Sequence, residues 1–266
     1  MSSSSGNVIT LQDVLNVYTP EVTRYLFAGT RPNTEFTISF DLDVIKIYED
    51  YDKTERIALK AEAAKDEAMY QRERRIYELS QVSVEGKTPR IEDNVTPYQI
   101  PFRHLCNLIQ IADGNIEKTI ADIISSNSFE LKPQQLNNLK KRAECAKYWI
   151  ENCAPEDFKF RLVDISLAVQ RRGEENKEQI SRQLSDTEKN AVRILRDDMI
   201  SKIEEFADDK SCSTAIYAVA EKAGIDGKAL FGAAYQALIG KEQGPRLASF
   251  LRTINKERLL NILKDY

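Results

Sequence analysis

The sequence predicts a mainly α-helical protein, built as helical bundles, with extended structure confined to short pieces before residue 100. Two observations carry this. Beyond residue 100 the apolar side chains recur at three-four spacing, as in Leu136, Leu139, Ala143, Ala146 and Ile150, which places them on one face of a helix. The segments patterned in this way open on a capping residue or a proline and are separated by glycine, proline or asparagine.

Residues 1–7, MSSSSGN, have the composition of a loop. Thr10 can cap a short helix bearing Leu11, Val14, Leu15 and Tyr18. Thr19-Pro20-Glu21 then restarts the chain with proline at the first helical position, and Gly29 can close that second helix. Residues 34–40 alternate weakly and are read as extended. Asp41 can cap a helix carrying Leu42, Ile45 and Tyr48, and the strong helix formers that follow extend the pattern to about Arg75. Residues 76–84 fit either a short strand or a helix tail. Gly86, Pro89 and Pro97 mark residues 85–99 as a connecting loop.

Further helices follow at about 101–112, 115–126 and 133–152. Residues 171–189 are rich in charge and poor in apolar side chains, as an exposed helix end or a linker would be. Ser185-Asp186-Thr187-Glu188 is a capping box that should start a long helix to about Phe206. Helices at 212–223, 228–239, 245–253 and 256–265 complete the chain, which shows no fixed-period repeat. The expected division is 1–40, 41–98, 99–184 and 185–266, with two helical units meeting near residues 172–184.

Composition excludes several functions. No apolar run approaches the roughly 20 residues of a membrane span, and no basic segment followed by an apolar stretch opens the chain, so a cytoplasmic protein without membrane contact is expected. The four cysteines, Cys106, Cys145, Cys153 and Cys212, form no C-x-x-C pair, and His104 is the one histidine. Buried free thiols are therefore expected and no bound metal. A net charge of −4 argues against indiscriminate coating of nucleic acid, although a local basic face can still hold phosphates. No nucleophile elbow or glycine-rich phosphate loop is present, and His104 sits on an apolar-rich helix where a hydrogen-bonded structural role is favoured over catalysis. Judged on these features alone, the chain is a helical binding module.

Met1-Ser2-Ser3-Ser4-Ser5-Gly6-Asn7 resembles the KMSKS signature of class I aminoacyl-tRNA synthetases in its small-residue form, with Ser3 and Ser5 at the usual later lysine positions. The run Thr19-Pro20-Glu21-Val22-Thr23-Arg24-Tyr25-Leu26 follows, then Arg31-Pro32, Phe40-Asp41-Leu42-Asp43 and Tyr51-Asp52-Lys53-Thr54-Glu55-Arg56. With Pro101-Phe102-Arg103-His104-Leu105 and Gly244-Pro245-Arg246-Leu247-Ala248-Ser249-Phe250, these resemble class I lysyl-tRNA synthetases in order and spacing over nearly the whole chain.

The resemblance implies a Rossmann-type catalytic domain amino-terminal to Met1 and, in this chain, the helical anticodon-binding half that follows the ATP-site loop. The parent reaction would join lysine, ATP and tRNA(Lys) to give lysyl-tRNA, AMP and diphosphate. ATP is then a substrate, ATP and L-lysine bind only with the other domain, and the isolated fragment is expected to be inactive, with no complete catalytic set. The signature-loop residues are Met1, Ser2, Ser3, Ser4, Ser5, Gly6 and Asn7.

For tRNA the candidates lie on two helices. Lys132, Lys140, Lys141, Arg142 and Lys147 oppose only Glu144 across sixteen residues, ahead of Tyr148-Trp149. Basic residues can hold phosphates while an aromatic ring stacks an unpaired base, yet Trp149 also flanks the apolar stripe and burial suits it. Arg103 and His104 can touch RNA or serve the bundle interior. Arg171-Arg172 and residues 241–246 are further basic candidates. A different reading is a non-catalytic, protein-binding helical scaffold derived from a truncated synthetase, and binding of tRNA(Lys) separates the two.

Overall fold

The structure, a computed structural model, describes residues 9–30, 37–83, 98–126, 130–163 and 184–266. Among these residues no strand occurs, and helices joined by turns make up the fold. The contacts divide the chain into two compact units, Met1–Pro155 and Glu156–Tyr266. The loop of residues 1–7, Arg31-Pro32, the connection 85–97, Arg171-Arg172 and residues 172–183 lie outside the described residues.

In the first unit, α1 (Leu11–Val17) starts at Thr10, whose hydroxyl accepts from Asp13 N at 3.2 Å while the Asp13 carboxylate accepts from Thr10 N at 2.8 Å. Such reciprocal caps are worth about 1 kcal/mol. Pro20 opens α2 (Pro20–Ala28) at its first turn. Helix α3 (Asp43–Ala58) begins one residue later than a cap at Asp41 implies, yet the Asp41 carboxylate still accepts from Asp43 N at 2.9 Å.

The expected continuous helix to Arg75 does not form. The chain turns over residues 59–66, with Lys60 at φ 58°, and α4 (Glu67–Ser80) restarts at Asp66, whose carboxylate accepts from Met69 N at 2.8 Å. Residues 59–66 are good helix formers but offer little apolar surface to bury, and propensity amounts to only tenths of a kcal/mol per residue. Folding α4 back along α3 instead brings Tyr51 to Tyr77, centroids 6.4 Å apart, and lets Thr54 donate to Glu73 at 2.6 Å. Residues 76–80, ambiguous in sequence, are therefore the end of α4.

Helices α5 (Phe102–Ile111), α6 (Ile116–Ser126) and α7 (Pro133–Asn152) complete this unit. Its core is aromatic. Tyr48 stacks on Phe102 with centroids 3.9 Å apart and planes within 6°, and Trp149 lies 6.1 Å from Phe102. The Tyr48 hydroxyl donates to Val17 O at 3.0 Å and accepts from Thr19 N at 3.2 Å, which holds the corner between α1 and α2 against α3.

The second unit contains α8 (Asp186–Ile194), α9 (Asp209–Ala223), α10 (Gly227–Ile239), α11 (Leu247–Thr253) and α12 (Lys256–Ile262). The Ser185 capping box starts α8 as expected, but from Leu195 the helix widens into a π turn and then tightens into a 3₁₀ turn ending at Glu205. In the widened turn Arg196 donates to the carbonyls of Leu263 and Lys264 at 3.2 Å and of Tyr266 at 3.3 Å, supplying donors to groups beyond the end of α12. Residues 156–163 belong to this unit: Val163 N donates to Leu238 O at 2.8 Å, and Lys241 Nζ donates to the carbonyls of Glu156 and Lys159 at 2.6 Å.

Candidate nucleic-acid interface

The candidate face is the outward side of α7. Leu139, Ala143, Ala146, Trp149 and Ile150 are buried, so the three-four stripe read from the sequence faces the core. The opposite side carries exposed Lys140, Lys141 and Glu144. No ion pair joins Lys140 or Lys141 to any described residue, whereas Lys147 reaches Glu151 at 3.8 Å. Lys132 is exposed at the first turn, where its backbone N–H donates to Gln135 at 2.9 Å. Helix α5 packs on α7 and bears Arg103, exposed, and His104, half-buried.

Arg142 and Trp149 point the other way. Arg142 makes a two-pronged ion pair with Asp52 at 2.7 and 2.6 Å, and its guanidinium lies over the Tyr48 ring at 4.8 Å and the Phe102 ring at 5.8 Å. The Arg142 and Asp52 side chains are 11% and 6% exposed. Burial disfavours the charge on Arg142, but the Asp52 carboxylate outweighs it and holds the guanidinium firmly protonated. Trp149 is fully buried and its indole N–H donates to Phe40 O at 2.9 Å, so neither face of its ring is open to a base. Both residues anchor α7; a base stacked on Trp149 would require the tryptophan to leave the core.

The buried pair has a neighbour that sequence reasoning missed. Glu55 lies one turn after Asp52 on the same buried side of α3, and burial pushes its carboxyl up to about 7, against the Gln99 hydrogen bond and helped by the Asp52 charge. Gln99 Nε2 donates to Glu55 at 2.7 Å and to Asp52 O at 3.0 Å, and Gln99 Oε1 accepts from Arg56 at 2.9 Å. A signal for this cluster exists in the sequence. Ile45, Tyr48, Asp52 and Glu55 share one stripe of α3, and carboxylates in line with large apolar residues call for buried partners.

Three polar side-chain contacts thus tie α7 to segments far earlier in the chain: Cys145 Sγ approaches Leu15 O at 3.8 Å, Trp149 binds Phe40 O and Arg142 binds Asp52. The four cysteines are free thiols, with Cys106, Cys145 and Cys212 buried and Cys153 half-buried. No group of three or more histidine, cysteine or acidic side chains suited to a metal occurs among the described residues. No described helix is long and apolar enough to cross a membrane.

The segment that α7 clasps lies within the residues that match a described family. Residues 1–83 match the family described as tRNA synthetases class I (K). Over its whole length the chain is 45% identical to a lysine–tRNA ligase of Treponema pallidum and 42% identical to one of Borreliella burgdorferi, covering 46% of each. The chain is thus similar to lysine–tRNA ligases along its whole length and to the class I synthetase family over residues 1–83. A lysine–tRNA ligase of Thermococcus kodakarensis is 32% identical over 99% of the chain and is again covered to 46%, so the chain spans about half the length of the curated relatives it matches. The synthetase-family segment includes α1 to α4, with Leu15, Phe40 and Asp52. Helix α7 lies beyond it in sequence and is fastened to it in space.

Proposed function

We propose that the chain is the tRNA-binding portion of a class I lysine–tRNA ligase, whose complete reaction joins L-lysine to tRNA(Lys) at the expense of ATP, releasing AMP and diphosphate. The observation that carries this reading is the match to lysine–tRNA ligases along the entire chain at up to 45% identity. In this assignment Met1 to Asn7 contribute the ATP-site signature loop, and Lys140 and Lys141, aided by Arg103 and His104 on α5, meet the tRNA backbone.

The charge arrangement on α7 supports the assignment. Two exposed lysines with no ion pair among the described residues can replace the counterions of RNA phosphates, and a rigid helix presents them in register. Arg142 and Trp149 contribute by fixing the helix rather than by touching RNA.

The test is binding of tRNA(Lys) to the 266-residue chain across a salt series. Lys140→Ala combined with Lys141→Ala should weaken binding and reduce the slope of log affinity against log salt by up to about two units, because each lost phosphate contact removes somewhat under one. An unchanged slope would remove α7 as the contact. Arg142 is left intact here, since its loss would strand the Asp52 charge in the core.

A further inference from the structure

The second unit carries an aromatic ring that is held in place and left open. Tyr217 on α9 is 54% exposed, although its ring rests against two residues of α10. Its edge-to-face partner is Phe231 of α10, with centroids 5.6 Å apart and planes at 68°. The backbone of Gly227, the first residue of α10, forms the second contact. A Cβ at that position would lie 2.8 Å from Tyr217 Cε1 and 3.1 Å from Cδ1, so the ring can occupy its place only because residue 227 is glycine. Between the two helices Gly224 turns the chain at φ 70°, a conformation that other residues adopt only under strain. A tyrosine fixed in this way gives up little conformational freedom when a flat partner settles on it.

The charges nearby fit a polyanion. Lys228 follows Gly227 directly, and Lys210 lies seven residues, two helical turns, before Tyr217 on the same face of α9. Both are exposed and neither has an ion pair among the described residues. The neighbouring carboxylates are mostly engaged: Asp198 with Lys222, Asp209 with Arg252, and Asp226 with the N–H of Ala229. Glu221 is exposed one turn beyond Tyr217, on the side away from Lys210, so a phosphate backbone would run on the side of Lys210 and Lys228.

We propose that Tyr217 is a stacking platform for an unpaired base of the bound tRNA, with Lys210 and Lys228 meeting the flanking phosphates. The proposal rests on the tRNA-binding reading above and supplies the open aromatic ring that Trp149, sealed in the core, does not. An aromatic ring accepts any base through its π face, and alanine substitution at such platforms removes an appreciable part of the affinity.

The experiment compares the full chain with Tyr217→Ala, Tyr217→Leu, Tyr217→Phe and Gly227→Ala in binding to tRNA(Lys), with far-ultraviolet circular dichroism as the control for folding. Tyr217→Ala and Tyr217→Leu should weaken binding by about tenfold with an unchanged salt slope, while Tyr217→Phe stays within about twofold of the parent. Gly227→Ala, which keeps the tyrosine but displaces its ring, should weaken binding as well. Parent-like binding by Tyr217→Ala, or equal binding by the leucine and phenylalanine variants, overturns the platform while leaving the lysine-bearing face of α7 standing. Failure of the unsubstituted chain to bind tRNA(Lys) overturns the tRNA reading and the platform together.

Discussion

Glu55 and Asp52 sit one turn apart in the same buried cluster, yet one guanidinium serves them unequally. Arg142 takes both oxygens of Asp52, while Glu55 has the Gln99 amide, a 3.5 Å contact from the Tyr51 hydroxyl and a hydrogen bond from Tyr77. The folded-state value of Glu55, about 7, is above the ordinary 4.5, so the folded state favours the protonated form. The stability this group provides is therefore complete below about pH 4.5 and is lost as pH rises through 7. Glu55→Gln should remove that loss and leave the protein up to about 2–3 kcal/mol more stable than the parent at pH 8, with little difference at pH 5. Trp149, the one tryptophan, reports from the core of the same unit, so urea unfolding followed by its fluorescence at several pH values makes the comparison. A parental stability that is flat between pH 5 and 8 would contradict this assignment. Asp52→Asn should cost about 3–5 kcal/mol by leaving Arg142 charged and unpaired, whereas Asp52→Leu with Arg142→Leu should cost less than either single change. Equal or greater loss in the double variant would show that the pair is worth more than its desolvation.

Among the elements, those with local signals were legible in the sequence and those set by distant contacts were not. The bounds of α7 follow from Pro133 and the three-four stripe, and α1, α2 and α8 follow from Thr10, Pro20 and Ser185. The break between α3 and α4 was missed because residues 59–66 have high helix propensity; what decides there is the contact of α4 with α3, as between Thr54 and Glu73, 19 residues apart along the chain. The same blindness applied to Arg142. Its neighbours in sequence, Lys140 and Lys141, are solvent-facing, but the helical turn rotates Arg142 toward Asp52, 90 residues earlier. The π turn at Leu195–Met199 left no local mark either, since its role is to bring Arg196 to the carbonyls after α12. Arg196→Ala should therefore release those carbonyls and speed amide hydrogen exchange in the last turn of α12, with α9 and α10 unaffected; unchanged exchange there would show that the contact is incidental.

For the molecule as a whole, the family relationship was legible from motifs spread along the chain, while the division of labour within it needed the structure. The proposed assignment separates binding from chemistry. The 266-residue polypeptide, about half the length of its relatives, should catalyse no lysine-dependent exchange of pyrophosphate into ATP above a protein-free control, and clear exchange would show that the segment holds a complete site. Binding should survive this separation, because the outward face of α7 and the partners that anchor it, Asp52 and Phe40, all belong to this chain. The most direct measurement is the affinity of the chain for tRNA(Lys) against an otherwise identical transcript carrying a different anticodon, both taken across the same salt series. Base contacts discriminate whereas phosphate contacts only position, so tRNA(Lys) should bind at least several-fold more tightly while the two salt slopes agree. Equal affinity for the two transcripts would contradict anticodon recognition by this chain.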